Sequence, residues 1–257
     1  MEVKHSNDQK LPHEGCFIGV DGCRGGWIAA VVENGRLRVE RYETICQLVN
    51  AYPTFDSFLI DLPIGLRESA EEIRPDDEAR QLLAQRTSTV FPVPSRQAVY
   101  ADGEEKQKRA NFQILGKSLA KQSIAIIPKI REVDEFLSEH CQYKNVICES
   151  HPELCFARLN GSVLLSRKKE FIGFNEREHV LSEYLDKEDL KGLWYKAKEL
   201  RCHPDDIMDA VCLAVTAGLK AQNLCESIPA SPQTDARGLL MQMIVPDLTE
   251  EDSGYRC

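Results

Sequence analysis

The sequence lacks the features that mark several broad classes of protein. No apolar run approaches the ~20 residues that cross a bilayer, so no membrane-spanning helix is expected. Residues 1–15 are polar and contain no apolar core of a secretory signal. The ten cysteines include no CxxC pair, which argues against a zinc site, and without a signal peptide a disulfide framework is not expected. We therefore expect reduced cysteines and a cytoplasmic protein.

The chain also lacks the short motifs of several common enzyme classes. It contains no GxSxG nucleophile motif, no GxxxxGK[ST] phosphate-binding loop and no HExxH zinc motif. The excess of basic charge that drives non-specific binding to long nucleic acid is missing too, because the net charge is −9 at pH 7. A polyanionic partner must therefore be met by a local basic patch or through metal ions.

The most informative stretch is FIGVDGCRGG at residues 17–26. Four apolar or small residues lead into Asp21, and a glycine-rich turn then leads to a second apolar run that begins at Trp27. A carboxylate on a buried strand is costly unless it is paired or holds a cation. The glycines of the turn can adopt positive φ and let a ligand approach the backbone closely. This stretch predicts a strand, a tight turn and a site at Asp21.

The elements before residue 63 follow the order β-β-β-α-β. Strands are predicted at 17–21, 27–32 and 37–41, with an Asn-Gly hairpin signal at 34–35 between the second and third. A helix that begins after Thr44 leads to a buried strand at 58–62, which contains Asp61. A strand that follows a crossover helix usually lies parallel to the first strand. We therefore expect Asp61 to lie beside Asp21 at one edge of the sheet.

The rest of the chain is predicted to complete one domain over residues 16–246. Residues 64–144 form an expanded insertion, with a helix at 75–86, an ordered proline-containing loop at 87–101, a basic helical stretch at 104–123 and a short helix at 132–138. The fifth strand, 145–149, ends in Glu149, and the last long helix runs from 203 to about 219. An edge strand is expected within 235–246. Residues 1–15 are expected to form a disordered lead, and residues 247–257 an acidic tail.

Acidic residues mark the ends of three strands and the start of the last helix. They are Asp21, Asp61, Glu149, Asp206 and Asp209. Positions three apart are neighbours on a helix, so Asp206 and Asp209 should both face the sheet. Oxygen ligands from several elements would suit a divalent cation. Three of these acids also have a plain structural alternative, since Asp206 and Glu149 could cap helices and Asp61 could accept hydrogen bonds in a turn.

Several longer segments resemble the DUF429 family, whose members are predicted RNase H-like nucleases. The resemblance covers roughly residues 16–246, and its matching segments are GVDGCRGGW (19–27), IDLPIGL (60–66), VFPVPSRQAVYA (90–101), IPKIREVDEFL (127–137), ESHPELCFARLNG (149–161), the lysines at 168–169, HPDDIMDAVCLA (203–214) and DARGLLM (235–241). It implies an α/β protein of RNase H-like fold. Its mixed five-stranded sheet would have three antiparallel strands and then parallel ones, with flanking helices and a large helical insertion before the last strand.

The same resemblance implies a function and a set of site residues. Asp21, Asp61 and Asp206 or Asp209 match the metal-binding positions of that fold, whereas Glu149 belongs to the family's own ESHPE motif. The expected activity is metal-dependent hydrolysis of phosphodiester bonds in a nucleic acid or a smaller substrate, with Mg²⁺ or Mn²⁺ as cofactor. The candidate catalytic residues are Asp21, Asp61, Glu149, Asp206 and Asp209, and the candidate substrate contacts are Arg24, Arg96, Lys129, Arg131 and Lys168.

Two other functions stay open at this point. The strand-turn-strand around Asp21 also resembles the phosphate-binding hairpin of actin-like ATPases and sugar kinases. Those proteins use two such domains and a second hairpin, which makes this reading less favoured. Alternatively, the carboxylates could hold a structural ion in a binding module without catalysis.

Overall fold

A mixed five-stranded sheet forms the centre of the molecule. The computed structural model describes residues 11–248. The strand order is β3-β2-β1-β4-β5; β1, β2 and β3 pair antiparallel, whereas β4 pairs parallel with both β1 and β5. The strands are β1 (Cys16–Cys23), β2 (Gly26–Glu33), β3 (Arg36–Tyr42), β4 (Ser57–Ile60) and β5 (Ile147–Glu149). The expected α/β architecture with a mixed sheet is confirmed.

Ten helices and a separate hairpin surround this sheet in the described part of the chain. The helices are α1 (Ile45–Ala51), α2 (Asp76–Leu82), α3 (Arg96–Tyr100), α4 (Glu104–Leu115), α5 (Lys121–Glu139), α6 (Pro152–Leu159), α7 (Phe171–Leu181), α8 (Lys187–Leu190), α9 (Leu193–Leu200) and α10 (Pro204–Ala221). The hairpin consists of β6 (Cys225–Thr234) and β7 (Leu240–Pro246). None of the helices among residues 11–248 is both long enough and apolar enough to cross a membrane.

The alternation of side chains along β1 divides the core into two layers. Ile18 and Val20 pack on one face, in the apolar layer that also contains residues of α1 and α5. Phe17 packs on the other face, in the layer that contains α6, α7 and α10. Gly19 and Asp21 share the face of Phe17 because successive residues of a strand point to opposite sides. Asp21 therefore points toward the layer of α10.

Helix α10 lies directly on β1, and Gly19 makes that close approach possible. A Cβ atom at Gly19 would lie 2.1 Å from the backbone nitrogen of Ala214 and 2.2 Å from the carbonyl oxygen of Ala210. Any side chain at this position would push the helix away from the sheet. The side chains of α10 from Ile207 to Leu219 are almost fully buried. Gly19 thus allows the acidic start of α10 to lie close to the strand that carries Asp21.

The structure corrects four details of the sequence-based expectations. β1 does not end at residue 21 but continues to Cys23, so Asp21 lies inside the strand and opposite Ile28. The short helix expected at 132–138 is the end of α5, which begins at Lys121 and contains Pro128. Buried apolar residues at helical spacing on both sides of that proline stabilise the helix across it.

The proline-containing loop and the last strand account for the other two corrections. The loop contains the short helix α3, because the Ser95 hydroxyl accepts a hydrogen bond from the Ala98 amide and so caps it. The strand expected within 235–246 is β7, which pairs with β6 and not with the main sheet. The nine cysteines among residues 11–248 are free. Most of the expected N-terminal lead and C-terminal tail lies outside the described residues.

Candidate active site

Asp21 is a buried carboxylate with few compensating contacts. Only 8% of the residue is exposed, and its Oδ1 accepts a hydrogen bond of 2.7 Å from the amide of Gly22. Burial raises the pKa of Asp21 well above its ordinary value, and the nearby carboxylates of Asp61 and Asp209 raise it further. The site around Asp21 therefore carries more negative charge than its surroundings neutralise.

Asp61 lies next to Asp21, as the parallel pairing of β1 and β4 requires. Val20 and Ile60 are register partners, and the Asp61 amide donates a hydrogen bond of 2.9 Å to the carbonyl oxygen of Val20. Burial raises the pKa of Asp61 to about 8, with a further contribution from Asp209. The expectation that the ends of β1 and β4 bring these two acids together is confirmed.

Asp209 approaches the same region from α10. It is 1% exposed; its Oδ2 accepts a hydrogen bond from Nζ of Lys168, while its Oδ1 is buried and has no hydrogen-bond partner among the described residues. Burial raises the pKa of Asp209, although Lys168 acts in the opposite direction. An unpartnered buried carboxylate oxygen is costly. A cation or a hydrogen-bond donor placed beside this oxygen would offset that cost.

Lys168 is the cation that this group of acids holds in the structure. Burial alone would lower the pKa of Lys168, but the carboxylates of Asp209, Asp21 and Asp61 raise it. The loop that carries Lys168 packs closely on α7, because Gly173 has no side chain: a Cβ there would lie 2.1 Å from the carbonyl oxygen of Arg167. One ammonium group thus faces three carboxylates.

The three carboxylates fit a hard divalent cation in their chemistry, although not in their present arrangement. Mg²⁺ and Mn²⁺ prefer oxygen ligands, which these three carboxylates supply from separate elements. The Oδ1 atom of Asp209 has no hydrogen-bond partner among the described residues and could serve as one such ligand. Within residues 11–248, no three side chains of Asp, Glu, His or Cys stand close enough to hold an ion as they are placed. The ammonium of Lys168 supplies the local positive charge instead.

Asp206 lies at the margin of this group and has a structural role. Its Oδ2 accepts a hydrogen bond of 2.9 Å from the amide of His203, which forms a capping box at the start of α10. Burial raises the pKa of Asp206, and the effect of Asp209 on it is small compared with burial. Of the two acids that the sequence offered on α10, Asp209 is therefore the one that faces Asp21 and Asp61.

Glu149 lies opposite Ile60, next to Asp61, and contributes to the raised pKa of Asp61, but its own carboxylate has a full set of internal partners. Arg74 donates to both of its carboxylate oxygens at 2.8 Å, and the Ile64 amide donates at 2.8 Å. Arg74 also donates a hydrogen bond of 2.7 Å to the carbonyl oxygen of Ile64. Glu149 therefore anchors the segment after β4, and the catalytic role predicted for it has no support in its contacts. Nothing in the sequence singled out Arg74 as its partner.

The five basic residues that were predicted to contact substrate separate into two groups. Arg96 is buried and pairs with Asp134 at 2.8 Å and with Asp235, so its guanidinium is committed to the interior. Arg131 donates a hydrogen bond of 3.1 Å to the carbonyl oxygen of Val99. The buried ion pairs of Arg96 argue against its predicted contact with a phosphate, whereas Arg131 is half-buried and its predicted contact with substrate stays a prediction.

The other three basic residues lie around the acids. Arg24 is exposed in the turn between β1 and β2. Lys129 lies 3.9 Å from the centroid of the Trp27 ring and donates a hydrogen bond to the carbonyl oxygen of Gly26. Lys168 contacts Asp209, as described above. These three side chains stay candidates for substrate contact.

A cavity of about 330 Å³ adjoins the acids, and no motif in the sequence predicts it. Asp21, Asp61 and Lys129 line it together with an apolar wall, which includes Leu62, Pro63, Val90, Phe91, Ile126 and Met243. The wall residues come from the segment after β4, from a proline-containing loop, from α5 and from β7, which lie far apart in the chain. No sequence pattern marks such a wall.

His151 also lines this cavity. Its Nε2 lies 3.4 Å from the carbonyl oxygen of Thr89, and its Nδ1 is buried without a hydrogen-bond partner in the described part of the chain. Burial lowers the pKa of His151 to about 4, so the ring is neutral at pH 7. A carbonyl oxygen only accepts, so the proton lies on Nε2 and Nδ1 is an acceptor.

The comparison with protein families agrees with the resemblance seen in the sequence. The chain belongs to DUF429, described as a family of proteins of unknown function, and the match spans residues 19–234. That span contains every candidate carboxylate. No curated protein and no solved structure matches the chain.

Proposed function

We propose that this protein is a divalent-metal-dependent hydrolase of phosphodiester bonds with an RNase H-like fold. The observation that carries the proposal is the group of Asp21, Asp61 and Asp209, which come from two parallel strands and a helix and face a single ammonium. Their raised pKa values reflect the cost of unneutralised charge in a buried place. A site that binds a divalent cation would offset that cost.

Asp21, Asp61 and Asp209 are the residues that would hold Mg²⁺ or Mn²⁺. Such an ion, when bound, activates a water molecule and neutralises charge on the leaving oxygen. Lys168 balances the carboxylates when they hold no ion, and its side chain is 28% exposed at the edge of the group. Lys168, together with the exposed Arg24 in the turn after β1, is our candidate for contact with a phosphate of the substrate.

The remaining alternatives receive less support from the arrangement. The second hairpin, β6–β7, lies outside the main sheet and carries no glycine-rich turn beside the acids, unlike the paired phosphate hairpins of actin-like ATPases. A non-catalytic module would hold the ion equally well. A non-catalytic module differs from a hydrolase in one respect: its bound ion would stabilise the fold, but the protein would cleave no substrate.

The test is a cleavage assay with a matched control. Single-stranded DNA, RNA and bis(4-nitrophenyl) phosphate are incubated with the wild type, Asp21→Asn and Asp102→Asn in Mg²⁺ or Mn²⁺. Asp102 is exposed and lies outside the site, so its variant reports contamination and general effects of charge. We expect the wild type and Asp102→Asn to cleave at equal rates. The cleavage rate of Asp21→Asn should be at least about a hundredfold lower.

Two results would overturn the proposal. Cleavage that survives in Asp21→Asn points to a contaminant. Absence of cleavage together with metal-dependent thermal stabilisation that Asp21→Asn abolishes would show a non-catalytic ion site instead.

A further inference from the structure

The cavity beside the acids has the volume and the largely apolar lining of a small-molecule site. Its volume of about 330 Å³ lies at the lower end of the ~300–1,000 Å³ range of small-molecule sites. Apolar side chains from four separate segments make up most of its wall, among them Leu62, Val93 and Met243. A phosphate or sugar would find few donors on such a wall, whereas a flat apolar group would be well covered.

The polar groups that line the cavity are mostly committed elsewhere. Glu149 and Asp76 bond to Arg74, and the Ser150 hydroxyl donates a hydrogen bond of 2.6 Å to the carbonyl oxygen of Ile244. The Nδ1 acceptor of His151, which has no partner among residues 11–248, and the carboxylates of Asp21 and Asp61 are the exceptions. Away from the two aspartates, the apolar wall therefore has one unsatisfied acceptor, which suits a ring that carries an N–H donor.

An exposed aromatic ring completes the cavity. Phe91 lines it and is 38% exposed, so part of its ring stays open to a ligand. An exposed aromatic ring next to a phosphodiester-cleaving site is the arrangement on which nucleic-acid bases stack. The same cavity is lined by Asp21 and Asp61, so a ring within it lies next to the acids.

We propose that this cavity binds one unpaired nucleobase of the strand whose phosphodiester bond lies at Asp21 and Asp61, with Phe91 as the stacking residue and His151 as a hydrogen-bond acceptor. The inference rests on the proposed function and specifies its substrate class. A base inside a duplex cannot enter a cavity without leaving the stack. The substrate is therefore single-stranded or carries an unpaired nucleotide at the cleaved position.

The first experiment measures the binding of uncharged nucleosides, which carry no phosphate and need no metal. Adenosine, guanosine, cytidine and uridine are titrated into the metal-free full-length protein, and binding is followed by ligand-observed NMR. Phe91→Ala is compared with Phe112→Ala, because Phe112 is also an exposed phenylalanine (62% exposed) but lies on α4 outside the cavity. We expect Phe91→Ala to weaken binding at least about fivefold and Phe112→Ala to leave it unchanged.

A second pair of variants fills the cavity without touching the core. Ala125 lines the cavity and is exposed on α5, so Ala125→Leu places three extra carbon atoms in or beside the space. Gln122→Leu adds an apolar side chain at another exposed position of the same helix. Ala125→Leu should abolish nucleoside binding at an unchanged melting temperature, and Gln122→Leu should bind like the wild type.

The outcomes separate this inference from the proposed function. Nucleoside binding that depends on Phe91, in a protein that cleaves no phosphodiester, supports the base site and overturns the proposed hydrolysis. Conversely, the protein could cleave single-stranded and duplex substrates at equal rates, with Phe91→Ala and Phe112→Ala equally active. That result would support the proposed hydrolysis and overturn the base site. Failure of the wild type to bind any nucleoside also overturns it.

Discussion

The ion pair between Lys168 and Asp209 offers a direct way to measure how much unneutralised charge the site contains. Lys168→Met keeps the length of the side chain but removes its ammonium, which leaves Asp21, Asp61 and Asp209 without the cation that faces them. The matched control is Lys169→Met, because Lys169 is the exposed neighbour in sequence. Both variants lose the same formal charge, so a difference between them reports the site.

The structure sets the magnitude of the effect. The Asp209 side chain is 2% exposed and that of Lys168 is 28% exposed, so the pair is buried on the acidic side and partly hydrated on the basic side. Removing one partner of a fully buried pair costs about 3–5 kcal/mol, and partial hydration of the ammonium reduces this to about 2–4 kcal/mol. For a domain of this size, that loss lowers the melting temperature by about 4–16 °C.

The assay is thermal and urea unfolding of both variants in EDTA and then in Mn²⁺. We expect Lys168→Met to be less stable than Lys169→Met in EDTA, and Mn²⁺ to recover much of the difference, since a ligand at a hundred times its Kd adds about 2.7 kcal/mol. Mn²⁺ should stabilise Lys168→Met more than the wild type, because the ammonium no longer competes for Asp209. Equal stability of the two variants in EDTA would refute the reasoning.

Three further predictions concern the packing, the acids and the anchor of the loop after β4. Gly19→Ala should destabilise the fold by about 3 kcal/mol or more in urea unfolding, because its Cβ would lie 2.2 Å from the Ala210 carbonyl oxygen; an effect under about 1 kcal/mol would contradict the packing. The pKa of Asp61 is about 8 in the folded protein against 3.8 ordinarily, so between these pH values the folded protein keeps a proton that the unfolded chain loses. The free energy of unfolding of the metal-free protein should therefore fall from about pH 4 to about pH 8, by up to ~1.4 kcal/mol per pH unit. Asp61→Asn should flatten this slope. Arg74→Met should cost about 3–5 kcal/mol, whereas the double variant with Glu149→Gln should recover most of it, and no recovery would argue against the buried pair.

The sequence was sufficient to predict the sheet and the meeting of Asp21 with Asp61. Both follow from local rules, since buried strands have a recognisable composition and a crossover helix returns the chain parallel to the first strand. The choice between Asp206 and Asp209 could not be made in the same way. Their spacing puts both on one side of α10, and only the capping bond to His203 separates their roles.

Contacts between distant segments could not be predicted from the sequence. Arginine side chains usually lie at the surface, yet Arg96 is buried and pairs with Asp134 and Asp235 in the interior. Similarly, Glu149 ends a strand as Asp61 does, but Arg74 neutralises it. The partners lie up to 139 residues away along the chain, so no local pattern reveals them. The cavity at Phe91 was missed for the same reason.

The central claim is that Asp21, Asp61 and Asp209 form one site for a divalent cation. Its most direct test is a calorimetric titration of Mn²⁺ into the metal-free wild type and into Asp61→Asn. The account predicts saturable binding to the wild type that is tighter at pH 8 than at pH 6, because the cation must displace the proton held by the acids, and at least about tenfold weaker binding to Asp61→Asn. Equal binding by the two proteins, or no binding by the wild type, would contradict it.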